Sequence, residues 1–203
     1  MSGVNRVWRC AAAVGVAGWM AGWAAGCGTL RITPPASVED PVRVYVADYG
    51  RTSRLLLPGG SGGAGDATWW EYTYGDWSWY AKSNTSALDG AAALLLPTRA
   101  TLGRRELTTD GSRPELRAQA IHAIEVERSA SEHLLARLDG VFTAAVERAD
   151  SAEHGMRFAR LDESYWLCNQ SSTRMKRWLE ELGCEVRGWT LIARFEVAGG
   201  SEP

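Results

Sequence analysis

Cysteine is the residue type with the most chemistry to offer here, and three positions carry the argument: Cys27, Cys168 and Cys184. A thiolate can attack a carbonyl, and a thiol can take an acyl chain or pair as a disulfide. Met175, Trp178, Leu179 and Leu182 recur at helical spacing before Gly183, so a helix is expected over 169–182. Such a helix holds Cys168 and Cys184 roughly 24 Å apart at about 1.5 Å per residue. A disulfide needs Cα atoms within about 7 Å, so two free thiols are expected. Cys168 precedes the helix, where unpaired amides and the dipole favour a thiolate, and is the better nucleophile; a buried inert cysteine is the alternative.

A thiolate enzyme needs a base, and the histidines are His122, His133 and His154. His133 falls in the first turn of an amphipathic helix and His154 in a polar connection, which suits solvated side chains. His122 shares a strand face with Ala120, Ile124 and Val126, consistent with a hydrogen-bonded core histidine or with a base facing Cys168. The sequence carries no metal signature, and no cofactor is expected. The run 59–65 is rich in glycine but lacks the Lys-Ser/Thr or dinucleotide spacing of a phosphate loop, so a surface loop is expected there.

The elements that must position these groups begin after an export signal. Arg6 and Arg9 precede an apolar run over 10–25 that ends in Ala24-Ala25-Gly26-Cys27. The run is short for a membrane span and interrupted by Gly15, Gly18 and Gly22, so residues 1–26 read as a cleaved signal peptide. The small residues before Cys27 are similar to the lipobox of bacterial lipoproteins, which implies acylation of Cys27; Ala24 stands where that motif usually has Leu. Plain secretion and a retained anchor are the alternatives. Residues 27–41, with Pro34, Pro35 and Pro41, are expected to be a lipid-attached tether, and 42–198 a single domain.

Within 42–198 the class is α+β. Val42, Val44 and Val46 alternate along a strand; 55–57 form a second that ends at Pro58; 69–74 form an aromatic third. A helix is expected over 86–96, closed by Pro97, and a strand over 120–126. Ser129 and Glu132 offer a capping box for a helix to about 149, with Leu134, Leu138, Val141, Phe142 and Ala145 as its stripe. Alternation from Trp189 to Val197 predicts a last half-buried strand.

The order of Val44-Tyr45-Val46, Gly50, Leu55-Leu56-Leu57-Pro58, Glu71-Tyr72-Thr73-Tyr74-Gly75-Asp76 with Tyr80, and Leu167-Cys168-Asn169 followed by Leu179 and Gly183 resembles an uncharacterised bacterial family, a domain of unknown function often found near urease genes. That family is itself similar to circularly permuted papain-like domains of the NlpC type. The resemblance implies a small antiparallel sheet with packed helices, a catalytic Cys168, and a histidine on the strand where this chain has Thr52. Threonine cannot take a proton near neutral pH, so the inherited pair is broken, and the tryptophan expected after Cys-Asn is replaced by Gln170-Ser171-Ser172.

Three readings follow. The first is an envelope lipoprotein whose degenerate papain-like domain binds a cell-wall peptide or glycan through the aromatic segment Trp69, Trp70, Trp77, Trp79 and Tyr80. The second is a thiol amidase or acyltransferase with Cys168 as nucleophile, His122 as substitute base and Glu71 orienting it. The third is a structural lipoprotein whose aromatic cluster is core. All three are exported and attached to a membrane by a lipid anchor. The net charge of −2 gives no reason to expect a nucleic-acid partner.

Overall fold

The computed structural model describes residues 28–50, 52–61, 67–81, 97–109, 117–190 and 194–198. The expected signal peptide over 1–26, Cys27 and the helix expected over 86–96 lie outside the described residues.

The chain is α+β and rich in strand. A seven-stranded antiparallel sheet combines β2 (Pro41–Asp48), β3 (Ser53–Ser61), β4 (Ala67–Asp76), β5 (Thr98–Thr109), β6 (Ala120–Glu127), β7 (Arg148–Ser151) and β8 (Met156–Tyr165), in the order β6-β2-β3-β4-β5-β8-β7. A smaller sheet holds β1 (Leu30–Thr33) between β9 (Glu185–Arg187), antiparallel, and β10 (Phe195–Val197), parallel. The described helices are the one-turn α1 (Trp77–Ala81), α2 (Arg128–Ala144) and α3 (Ser171–Glu181).

Side chains alternate across a strand, so the register assigns each residue to a face. One face presents Val44, Val46, Leu55, Leu57, Tyr72, Leu102, Ile124 and Val126, all buried, and α2, α3 and the small sheet pack against it in one core. The helices supply Leu134, Leu138 and Phe142, and Met175, Trp178 and Leu179. Burial of each large side chain contributes roughly 1.5–3 kcal/mol before entropy. The opposite face carries two smaller clusters, Tyr45 with Ala47, Leu56 and Trp69, and Trp77 with Tyr80, Met156 and Phe158. Burial on both faces makes Val44 to Ala47 a continuous buried run instead of an alternating one.

Several expectations need correction. The antiparallel sheet is large, not small, because β5, β7 and β8 join the expected strands through ladder pairing. Residues 27–41 were expected to be a tether, yet β1 begins at Leu30, with Leu30 and Ile32 buried, because the small sheet gives its backbone partners. The domain therefore starts about a dozen residues earlier than Val42. Pro58 does not end β3, which continues past an irregularity to Ser61 and takes in Gly59 and Gly60 of the expected surface loop. α2 has Glu127, not Ser129, at its N-cap, with no side-chain cap, and it ends at Ala144, where β7 takes over. Val141 of its expected stripe is exposed. Of the strand expected over 189–197, the described residues in strand are β10 (Phe195–Val197), and Trp189 is exposed while Thr190 is buried, the reverse of the parity expected there.

The helix expected over 169–182 is present as α3, and its exit follows from Gly183. The backbone there takes φ +86°, a left-handed conformation that glycine adopts at little cost. Its N–H donates to the Glu180 carbonyl and that of Cys184 to Leu179, capping two orphan carbonyls.

Candidate functional site

Cys168 sits in an exposed turn in which Trp166 and Asn169 bridge to each other, three residues before α3 begins. The helix's first-turn amides thus belong to residues after Gln170, and the thiol is not the group they address. Asn169 anchors the turn by donating from Nδ2 to Tyr74 Oη at 2.8 Å and to the Ser164 carbonyl at 2.7 Å. Gln170, buried, donates to the Thr190 carbonyl at 2.6 Å. Cys184 is free as well and buried, and burial pushes its thiol up to about 11, which makes it an inert packing residue. α3 does separate the two cysteines.

The structure does not gather the expected catalytic set. His122, on the edge strand β6 of the large sheet, pairs with Val46 of β2 and belongs to the helix-covered face. β4, which the cysteine turn touches through Tyr74, lies three strands away, about 14 Å at the usual spacing. His122 also acts on Asp48, lowering its carboxyl against the larger upward push of burial. Glu71 pairs in register with Leu56, on the face opposite His122, so it cannot orient that ring. His133 is exposed on α2, and His154 lies against Tyr80 and Phe158 at ring separations of 5.0 Å and 5.9 Å, with burial lowering its pKa.

Glu71 has a different employment. It is wholly buried, and its Oε2 accepts Arg54 Nη1 at 3.1 Å and Arg105 Nη2 at 2.5 Å, while Oε1 accepts the Tyr49 hydroxyl at 3.2 Å. The Arg54 guanidinium lies 4.3 Å over the Tyr49 ring, and burial followed by the Glu71 charge raises the Tyr49 pKa, keeping it a donor. Burying one carboxylate between two cations offsets a desolvation cost of several kcal/mol per ion. Tyr49, Arg54 and Arg105 were missed in the sequence. The available signal was a carboxylate inside an aromatic strand, which demands a cation across the ladder. Asp76, the other end of the same motif, accepts the Trp79 N–H at 2.7 Å and caps α1.

Thr52, where the resemblance implies a histidine, has a partner of its own. Thr52 hydrogen-bonds Tyr80, whose phenol burial holds in its protonated form and which also bonds Thr73. Tyr80 stacks on Phe158 at 4.9 Å. Of the aromatic residues expected to meet a ligand, Trp77 and Tyr80 are therefore core, because α1 folds them down onto Met156 and Phe158 from β8. Trp79 is half-buried against the same cluster. Trp70 lines a cavity of about 520 Å3 together with Arg104, Arg105 and Arg157 and the acidic residues Glu106 and Asp150. Arg104 lies 4.5 Å over the Trp70 ring and pairs with Asp139 of α2; Arg157 pairs with Asp150 at 2.8 Å.

Among the described residues no group of three His, Cys, Asp or Glu side chains is placed to hold a metal ion, and no helix is long and apolar enough to cross a membrane. No protein-family model, no curated protein and no solved structure matches the chain. The assignment of function therefore rests on the residues and their geometry.

Proposed function

We propose that the protein is a non-catalytic lipoprotein of the bacterial cell envelope, anchored through acylated Cys27, that binds a cell-wall peptide or glycan beside Trp70. The observation that carries this reading is the cavity, lined by Trp70 with three arginines and two acidic residues. An aromatic face takes the apolar side of a sugar ring or peptide plane, and mixed charges meet both termini of a short peptide. The ion pairs already present set the register of a zwitterionic ligand instead of drawing in a bare anion.

The domain is a degenerate member of the permuted papain-like plan. Supporting that, α3 packs against β3 and β4, the strands of the Thr52 and Glu71 segments, directly after Cys168. Against a working site stand Thr52 tied to Tyr80, Glu71 neutralised on the far face and His122 on an edge strand. General-base help of typically 10²- to 10⁴-fold is then missing.

Titration calorimetry with soluble cell-wall peptides and glycan fragments tests the binding. Saturable heat is expected with the wild type and a loss of about 10-fold or more in affinity with Trp70→Ala, a central aromatic being worth roughly 1.5–3 kcal/mol. No heat with any fragment sinks the ligand. Hydrolysis of the same peptides or of acyl esters that disappears in Cys168→Ala sinks the non-catalytic reading, and its loss in His122→Ala as well would identify the substitute base.

A further inference from the structure

We propose that a second face, made by Trp189 with Lys176 and Arg177 of α3, lies against an anionic phospholipid surface and receives a headgroup in the recess between them; the inference rests on the lipoprotein reading and adds an orientation to it. Leu30, Ser172, Lys176, Arg177, Trp189 and Thr190 line this recess of about 240 Å3. Ser172, Thr173, Lys176, Arg177 and Glu180 fall at spacings of one, three and four residues, a single stripe of α3.

The chemistry of the face suits a headgroup. Trp189 is 41% exposed, and an indole with one wet edge settles at the level of lipid headgroups. Lys176 reaches Glu180 only at 3.8 Å, and Arg177 has no ion pair among the described residues, so the stripe keeps an excess of positive charge. Ser172 Oγ is buried with no hydrogen-bond partner among the described residues, a donor available to a phosphate oxygen.

The chain path brings the anchor to the same place. Gly188 has φ +97°, and a Cβ there would come within 2.5 Å of the Thr29 carbonyl oxygen, so the backbone at Thr29 runs directly against the residue before Trp189. Leu30 N–H is then fixed to the Arg194 carbonyl at 2.9 Å. Cys27 precedes Thr29 by two residues, which reach at most about 7 Å when extended. An acyl chain on Cys27 enters the bilayer beside Trp189, and Lys176 and Arg177 are carried into the range of about 8–10 Å over which surface charge acts. A tether of fifteen residues would leave the orientation open; a link of two or three does not.

The test uses the processed chain purified from the membrane fraction, reconstituted into vesicles of phosphatidylglycerol and phosphatidylethanolamine with brominated acyl chains. The fluorescence difference between wild type and Trp189→Phe isolates Trp189. It is expected to be quenched in these vesicles, weakly quenched in brominated phosphatidylcholine, and released by Lys176→Glu with Arg177→Glu while the protein still floats with the vesicles. Unquenched Trp189 in floating protein overturns the orientation, and equal quenching in phosphatidylcholine overturns the anionic headgroup. Mass spectrometry of the amino terminus judges the anchor separately. If Cys27 carries no acyl chain, the lipoprotein reading fails by itself, and the face is judged by sedimentation of the chain with phosphatidylglycerol vesicles. There the double charge reversal is expected to weaken binding at least about 25-fold, roughly fivefold for each cation lost. An unchanged sedimentation overturns the face.

Discussion

The two faces of the seven-stranded sheet are buried by different means. Beneath α2, α3 and the small sheet the residues are aliphatic and aromatic, and the burial is ordinary hydrophobic packing. On the other face only α1 is present among the described helices, and the centre is held by a carboxylate between two guanidiniums and a phenol. The first arrangement degrades gradually when an atom is removed. The second fails when one partner is lost, because the remaining charges stay buried and unpaired. A motif that looks catalytic in sequence, Glu71 through Asp76, is on this second face a charge clamp and a helix cap.

The largest expected effect breaks the polar face. Glu71→Ala should cost about 3–5 kcal/mol in urea unfolding, whereas Glu71→Leu combined with Arg54→Met and Arg105→Met should recover most of that loss. A triple variant as unstable as the single one would mean that the cluster is more than a paired charge. Next, Leu55→Ala on the helix-covered face should cost about 2–5 kcal/mol, with no comparable rescue by changing a neighbour.

A smaller effect separates the faces by pH. Burial lowers the His154 pKa below its ordinary value of 6.5, so the folded protein holds its proton less tightly than the unfolded chain. Stability from this group is complete above about pH 6.5 and declines as the pH falls through the lower folded value. The melting temperature should therefore drop less between pH 7 and pH 5 in His154→Gln than in wild type; parallel curves would remove His154 from the account. Smallest is the contrast between the thiols. Cys168 should label with a maleimide in the native protein and Cys184 only on unfolding, and Cys168→Ser should change stability by no more than about 0.5 kcal/mol. Rapid native labelling of Cys184 would mean that the helix-covered core opens easily.

The residues on their own determined the class and the best-patterned elements. β6 and α3 were legible because each buries one side and repeats apolar residues at its own period, β2 because Val42, Val44 and Val46 alternate along it although both its faces are covered, and Gly183 marks the helix end where a left-handed residue is needed. The free state of both cysteines followed from the length of α3. β5 was not legible: Arg104 and Arg105 are adjacent, so one crosses to Trp70, Phe142 and Asp139 on the helix face and the other to Glu71 on the far face. Its burial rests on partners 34 and more residues away, which no local pattern encodes. The same is true of the site. Residue types named Cys168, His122 and Glu71, but strand order and the alternation of faces decided that they do not meet, since proximity across a sheet is fixed by register and not by composition.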